Sequence, residues 1–171
     1  MGMGKLFAWA VWIIAAAAWA QSSTPAPVTP KPTPAQPIPF NHKVHMASGL
    51  TCLGCHTIAA PGDLAGLPAA TYCMGCHDTV KKDSPAIRTL KTFADERRPI
   101  PWVRVYKLPG FVYFSHQVHH KQARIECAVC HGPVADRNIV VQEKSTAMVD
   151  CMKCHDQHKA PNGCDLCHDA Q

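Results

Sequence analysis

All ten cysteines lie in five copies of one pattern, Cys-x-x-Cys-His: Cys52-Leu-Gly-Cys55-His56, Cys73-Met-Gly-Cys76-His77, Cys127-Ala-Val-Cys130-His131, Cys151-Met-Lys-Cys154-His155 and Cys164-Asp-Leu-Cys167-His168. Two cysteines three positions apart share one side of a helical turn. From there their sulfurs reach the two vinyl groups of a single haem, and the adjacent histidine meets the iron from the same side. This is the attachment signature of a c-type haem. A lone copy would equally fit a zinc half-site or a redox pair. Five copies with no spare cysteine do not. A zinc ribbon or a disulfide scaffold has no need of a histidine after every cysteine pair. The expected cofactors are therefore five covalently bound haem c, with His56, His77, His131, His155 and His168 as proximal iron ligands.

Each iron offers a second axial position. Six of the eleven histidines lie outside the motifs: His42, His45, His116, His119, His120 and His158. Four of them belong to a repeated unit, Phe-x-His-x-x-His. Phe40, His42 and His45 recur as Phe114, His116 and His119 at a constant offset of 74, whereas Cys52 and Cys127 are 75 apart. That near-constant offset marks an internal repeat with one residue of slippage. Two histidines three apart on a helical turn project to one side but are displaced along it, so both cannot fill one iron's open position. The economical arrangement is a clamp. His42 serves the haem on Cys52/Cys55, His116 serves the haem on Cys127/Cys130, and His45 and His119 reach other haems. For the fifth distal ligand the sequence favours His158, between the last two motifs. Met148 is the alternative, and an open fifth iron is a third reading. His120, beside a better candidate, is expected to be exposed.

The rest of the chain suits this chemistry. Aromatic residues make only 7% of 171 residues, and Gly and Pro together number 25, which is thin material for an ordinary core. Several flat apolar haems would replace it. The expected fold is small and mostly irregular, with short α-helices near the motifs and two repeated modules. Ile87, Leu90 and Phe93 have helical spacing within residues 79–96, with Pro85 interrupting. Prolines 99, 101 and 109 break the following run, where Val103 and Val105 suit one short strand edge. The formal charge of +5 does not argue for nucleic acid, because ten propionates on five haems would reverse its sign. No Ser/His/Asp order, paired-carboxylate motif, phosphate loop or Cys-x-x-Cys-Lys variant occurs. No catalytic residue is expected, and the chain reads as an electron carrier.

Four segments follow. Residues 1–20 carry Lys5, an uncharged apolar run from Leu6 to Ala20 and a small-x-small Ala18-Trp19-Ala20 end, the pattern of a secretory signal peptide. An uncleaved anchor is the other reading. Residues 21–39 hold seven prolines and form an extended spacer. Residues 40–98 form a dihaem module and residues 99–171 a trihaem module. Export implies a periplasmic protein in an oxidising compartment, with membrane association open.

The Phe-x-His-x-x-His unit, followed about ten residues on by Cys-x-x-Cys-His, resembles the class III multihaem cytochromes c. The resemblance implies a multihaem cytochrome c fold, with little secondary structure wrapped around closely packed bis-histidine haems, and electron transfer in the periplasm. The stretch PIPWVRVYKLPGFVYFSHQVHHKQARIECAVCHGPV from Pro99 is similar to the pentahaem cytochrome subunit of alternative complex III and its relatives beside molybdopterin oxidoreductases. It implies redox-protein partners as donor and acceptor, among them a membrane quinol-oxidising or molybdopterin/iron–sulfur complex. An enzyme that reduces a small oxyanion or metal at an open haem is the alternative of a different class.

Overall fold

A computed structural model describes residues 33–168. The expected export segment, residues 1–20, and most of the proline-rich spacer lie outside the described residues. The described chain runs through short helices: α1 His42–Ala47, α2 Cys52–Cys55, α3 Ala70–His77, α4 Pro85–Asp95, a π-helical turn Gln117–Gln122, α5 Cys127–His131, a 3-10 turn Val134–Asp136, α6 Met148–His158 and a 3-10 turn Cys164–Leu166. Among the described residues the only extended pairing is an isolated antiparallel bridge between Val112 and His168.

Local chemistry starts these helices. The Asn41 side chain accepts from the Val44 amide and caps α1, and Thr51 does the same for Gly54 and α2. Either cap stabilises its helix by about 0.5–2 kcal/mol. Ser84 caps α4 by accepting from Ile87 N. Pro85 does not interrupt α4 but opens it, since a proline in the first turn fixes φ and lacks an amide that would have no helical partner anyway. Val103 and Val105 form no strand. The Gln36 side chain occupies the edge instead, its Nε2 donating to Val103 O at 2.8 Å and its Oε1 accepting from Val103 N at 3.0 Å. One amide side chain thus satisfies the groups a neighbouring strand would have used.

The two copies of the repeated unit differ in backbone. In the first, both histidines lie on α1. In the second, His119 lies within the π-helical turn and His116 immediately precedes it. A π turn is what one extra residue in a helix produces. It absorbs the slippage between offsets 74 and 75 and leaves the histidine pair in the same relation to the following motif.

Among the described residues, the apolar core cluster lies around α3 and α4. Ile87, Leu90 and Phe93 on one face of α4 pack with Ala70 and Met74 of α3, closed by Ile38 and Ile100 and flanked by Trp102. Each large aliphatic or aromatic side chain buried there contributes roughly 1.5–3 kcal/mol. From residue 103 onward no described apolar residue is buried. Residues between or beside the motif cysteines, including Leu53, Val129, Met152 and Leu166, are 41–51% exposed. Apolar surface on this scale needs a covering body that the polypeptide does not supply.

Candidate haem-binding sites

The five motifs are numbered here in chain order: site I (Cys52, Cys55, His56), site II (Cys73, Cys76, His77), site III (Cys127, Cys130, His131), site IV (Cys151, Cys154, His155) and site V (Cys164, Cys167, His168). Sites I to IV sit on or at the end of α2, α3, α5 and α6, and site V on the last 3-10 turn. All ten cysteines are free thiols, and each is at least partly open to solvent. A disulfide framework is therefore absent among them. No three His, Cys, Asp or Glu side chains converge on a bare-metal site among the described residues.

Four motif histidines each face a second histidine. His42 stands opposite His56, ring centroids 6.4 Å apart with planes 11° apart, and His116 stands opposite His131 at 6.4 Å and 3°. His45 faces His77 at 6.1 Å and 59°, and His119 faces His155 at 5.9 Å and 43°. A metal–imidazole bond is about 2.0 Å and the ring nitrogen lies about 1.1 Å from the ring centre, so two imidazoles across one iron have centroids roughly 6.2 Å apart. The four spacings fit an iron between each pair. They are too wide for direct stacking, which brings Phe40 to 4.3 Å from His45 and Phe114 to 4.4 Å from His119.

The rings are turned for ligation. Nδ1 hydrogen-bonds a backbone carbonyl in His45 (Asn41 O, 2.7 Å), His56 (Gly66 O, 2.8 Å), His77 (Val80 O, 2.9 Å), His116 (Asp63 O, 2.8 Å), His119 (Ser115 O, 2.8 Å), His155 (Pro161 O, 2.6 Å) and His168 (Phe111 O, 3.2 Å). A carbonyl can only accept, so Nδ1 carries the proton and Nε2 keeps its lone pair for a metal. His42 Nδ1 is buried with no partner. Burial pushes His42 and His131 below the usual histidine range, helped by neighbouring His56 and His45 for His42 and by His116 and His56 for His131. Both changes favour the neutral, ligating form. Burial also raises the Cys73, Cys127, Cys130 and Cys151 thiols, reinforced by nearby cysteines.

Site V differs. The ring beside His168 is Phe111, at 5.8 Å, and no second histidine faces it among the described residues. His158 is exposed in the last turn of α6, and Met148 is 65% exposed at its start. His120 is half-buried rather than exposed, and its Nδ1 bonds Ile125 O at 3.0 Å.

Two supports were not anticipated from sequence. Phe40 and Phe114 each lie edge-on to the first histidine of their unit, at 4.8 and 4.9 Å, and flat on the second. They hold both rings at once, and their fixed place in the repeat was the available signal. Tyr106 packs edge-on against His131 at 4.6 Å. Its hydroxyl donates to His131 O and accepts from the Glu143 and Lys144 amides.

Residues 18–99 match the model of the class III cytochrome C family. The chain is a multihaem cytochrome c that resembles the class III family over these residues. A relative of known role, the multiheme cytochrome c subunit of the menaquinone reductase of Nitratidesulfovibrio vulgaris, is 29% identical over 160 residues, covering 78% of this chain and 76% of that one. The cytochrome is an electron carrier rather than an enzyme, with covalently bound haem c and a small helical fold that lacks strands among the described residues.

Proposed function

We propose that this cytochrome is an exported, periplasmic pentahaem electron conduit between a membrane quinone-linked redox complex and a second redox protein. The observation that carries the reading is the set of four histidine pairs at iron-bridging distance. Haem iron supplies one-electron cycling between ferric and ferrous states. The chain contributes the thioether anchors, the axial imidazoles and the carbonyl acceptors that fix their tautomer. Two imidazoles on one iron leave no position for a substrate, which suits a carrier.

The distal ligands on this reading are His42 for site I, His45 for site II, His116 for site III and His119 for site IV. Each repeated unit thereby clamps two sites. For site V, the carbonyl-bound and half-buried ring of His120 favours it over the exposed His158 and Met148. The membrane partner is supported by the relative's role as a menaquinone reductase subunit. Export is supported by the signal-like residues 1–20. Haem quantitation by alkaline pyridine, with intact mass of the purified cytochrome, tests the pentahaem state: five haems per chain are expected, and four or fewer refute it. Recovery of the mature chain in the periplasmic fraction beginning at Gln21 tests export, and recovery from the cytoplasm refutes it.

A further inference from the structure

The order of the sites in space is not their order in sequence. We infer that the five sites form one unbranched line in the order II–I–III–IV–V, so that sites II and V are its two ends and the contact between sites I and III is the joint between modules. This rests on the pentahaem reading above.

Three links are built by side chains already described. Helix α1 carries His42 toward site I and His45 toward site II, so sites I and II share one short helix. The π-helical region carries His116 toward site III and His119 toward site IV, so those two are neighbours as well. Site V joins beside site IV. His155 Nδ1 is held by Pro161 O in the short connector to Cys164. The far side of site V is pinned to residues 111–113, where Tyr113 N donates to Cys167 O at 2.8 Å and Val112 bridges His168.

The joint between sites I and III is reciprocal. The residue after the first clamp histidine in each module donates its amide to the loop that follows the motif histidine of the other module. Lys43 N donates to Arg137 O, and Gln117 N donates to Gly62 O, both at 3.0 Å. Lys43 and Gln117 are equivalent in the repeat, and so are Gly62 and Arg137, which stand 75 apart like Cys52 and Cys127. His116 Nδ1 and Lys121 Nζ add bonds to Asp63 O and Ile58 O of the same loop, and Asn41 Nδ2 donates to Asn138 Oδ1 on the other side. This is the pattern of a local two-fold between the copies, with sites I and III inside and sites II and IV outside. The alternation is repeated in the rings: the inner pairs are nearly coplanar, at 11° and 3°, and the outer pairs are twisted, at 59° and 43°. Electron hopping favours the shortest steps, so a charge entering at site II passes sites I, III and IV in turn.

The test is proton NMR of the fully reduced, diamagnetic holoprotein. Nuclear Overhauser contacts between the substituents of different haems report which haems adjoin. Single His45→Met and His119→Met variants identify sites II and IV through the upfield methyl signal of a ligated methionine. Contacts are expected for II–I, I–III, III–IV and IV–V. A contact between site II and any of sites III, IV or V, or the lack of one between sites I and III, overturns the order. If a variant does not fold, the unmodified protein still decides. A linear order gives two haems with a single neighbour each and three with two neighbours each, a count that no branched or stacked cluster of five gives. A haem count below five would instead refute the pentahaem reading and leave the surviving contacts to judge the order of the sites present.

Discussion

Gly62→Ala is the sharpest perturbation of the joint. Gly62 has φ +94°, and a Cβ there would lie 2.4 Å from Gln117 Cβ and 3.0 Å from Gln117 Oε1. The Cβ of Gln117 cannot swing aside as a side-chain tip would, so one backbone must move. Placing an L residue in the left-handed region costs about 1–2 kcal/mol, and forcing extra volume into a close contact costs about 1–3 kcal/mol more. The expected loss is therefore about 2–5 kcal/mol. With a guanidinium slope of roughly 2–6 kcal/mol per molar, the unfolding midpoint of the holoprotein falls by about 0.3–2.5 M. The same shift draws Gly62 O from Gln117 N and Asp63 O from the His116 ring. The site III signal should therefore change, while site II, at the far end of α1, keeps its spectrum. Gly110→Ala is the control, because a Cβ there meets nothing within 4 Å, and its effect stays within about 0.5 kcal/mol. A Gly62→Ala protein with an unchanged midpoint and unchanged spectra would refute the close approach of the modules.

Further outcomes follow from the clamps and their supports. His45→Ala converts site II, not site I, to a high-spin signal in the oxidised spectrum, and His119→Ala does the same for site IV. Loss at site I or III instead would sink the clamp assignment. Tyr106→Phe leaves the haem count unchanged but costs about 1–3 kcal/mol, since the Glu143 and Lys144 amides lose their shared acceptor. Equal stability of the two proteins in denaturant titration would contradict this. His120→Ala adds one carbon monoxide-binding haem per chain on reduction, whereas His158→Ala adds none. The reverse pair of results would return the fifth position to His158.

The five Cys-x-x-Cys-His motifs were legible in the sequence because covalent haem attachment requires a fixed local spacing. The Phe-x-His-x-x-His repeat was equally visible, since both histidines must emerge from one turn. What stayed hidden depended on distant backbone. The carbonyls of Gly66, Asp63 and Pro161 that orient His56, His116 and His155 belong to loops with no pattern of their own. Pro85 read as a break because proline disrupts a helix interior, yet Ser84 turns the same residue into a start. Val103 and Val105 had strand propensity, but a single glutamine side chain took the partner's place. The one-residue slippage between the repeats gave no sign of its form, and only the backbone shows it as a π turn. His120 was expected to be exposed because its neighbour His119 matched the repeat, while the Ile125 carbonyl that holds its ring lies beyond the turn.

The electron paramagnetic resonance spectrum of the fully oxidised holoprotein tests the central claim most directly. The nearly coplanar ring pairs of sites I and III should give two rhombic low-spin signals. The twisted pairs of sites II and IV should give two low-spin signals of larger maximum g value. At least four irons per chain should integrate as low spin. High-spin signal from more than one iron per chain would contradict the histidine pairing on which the account rests.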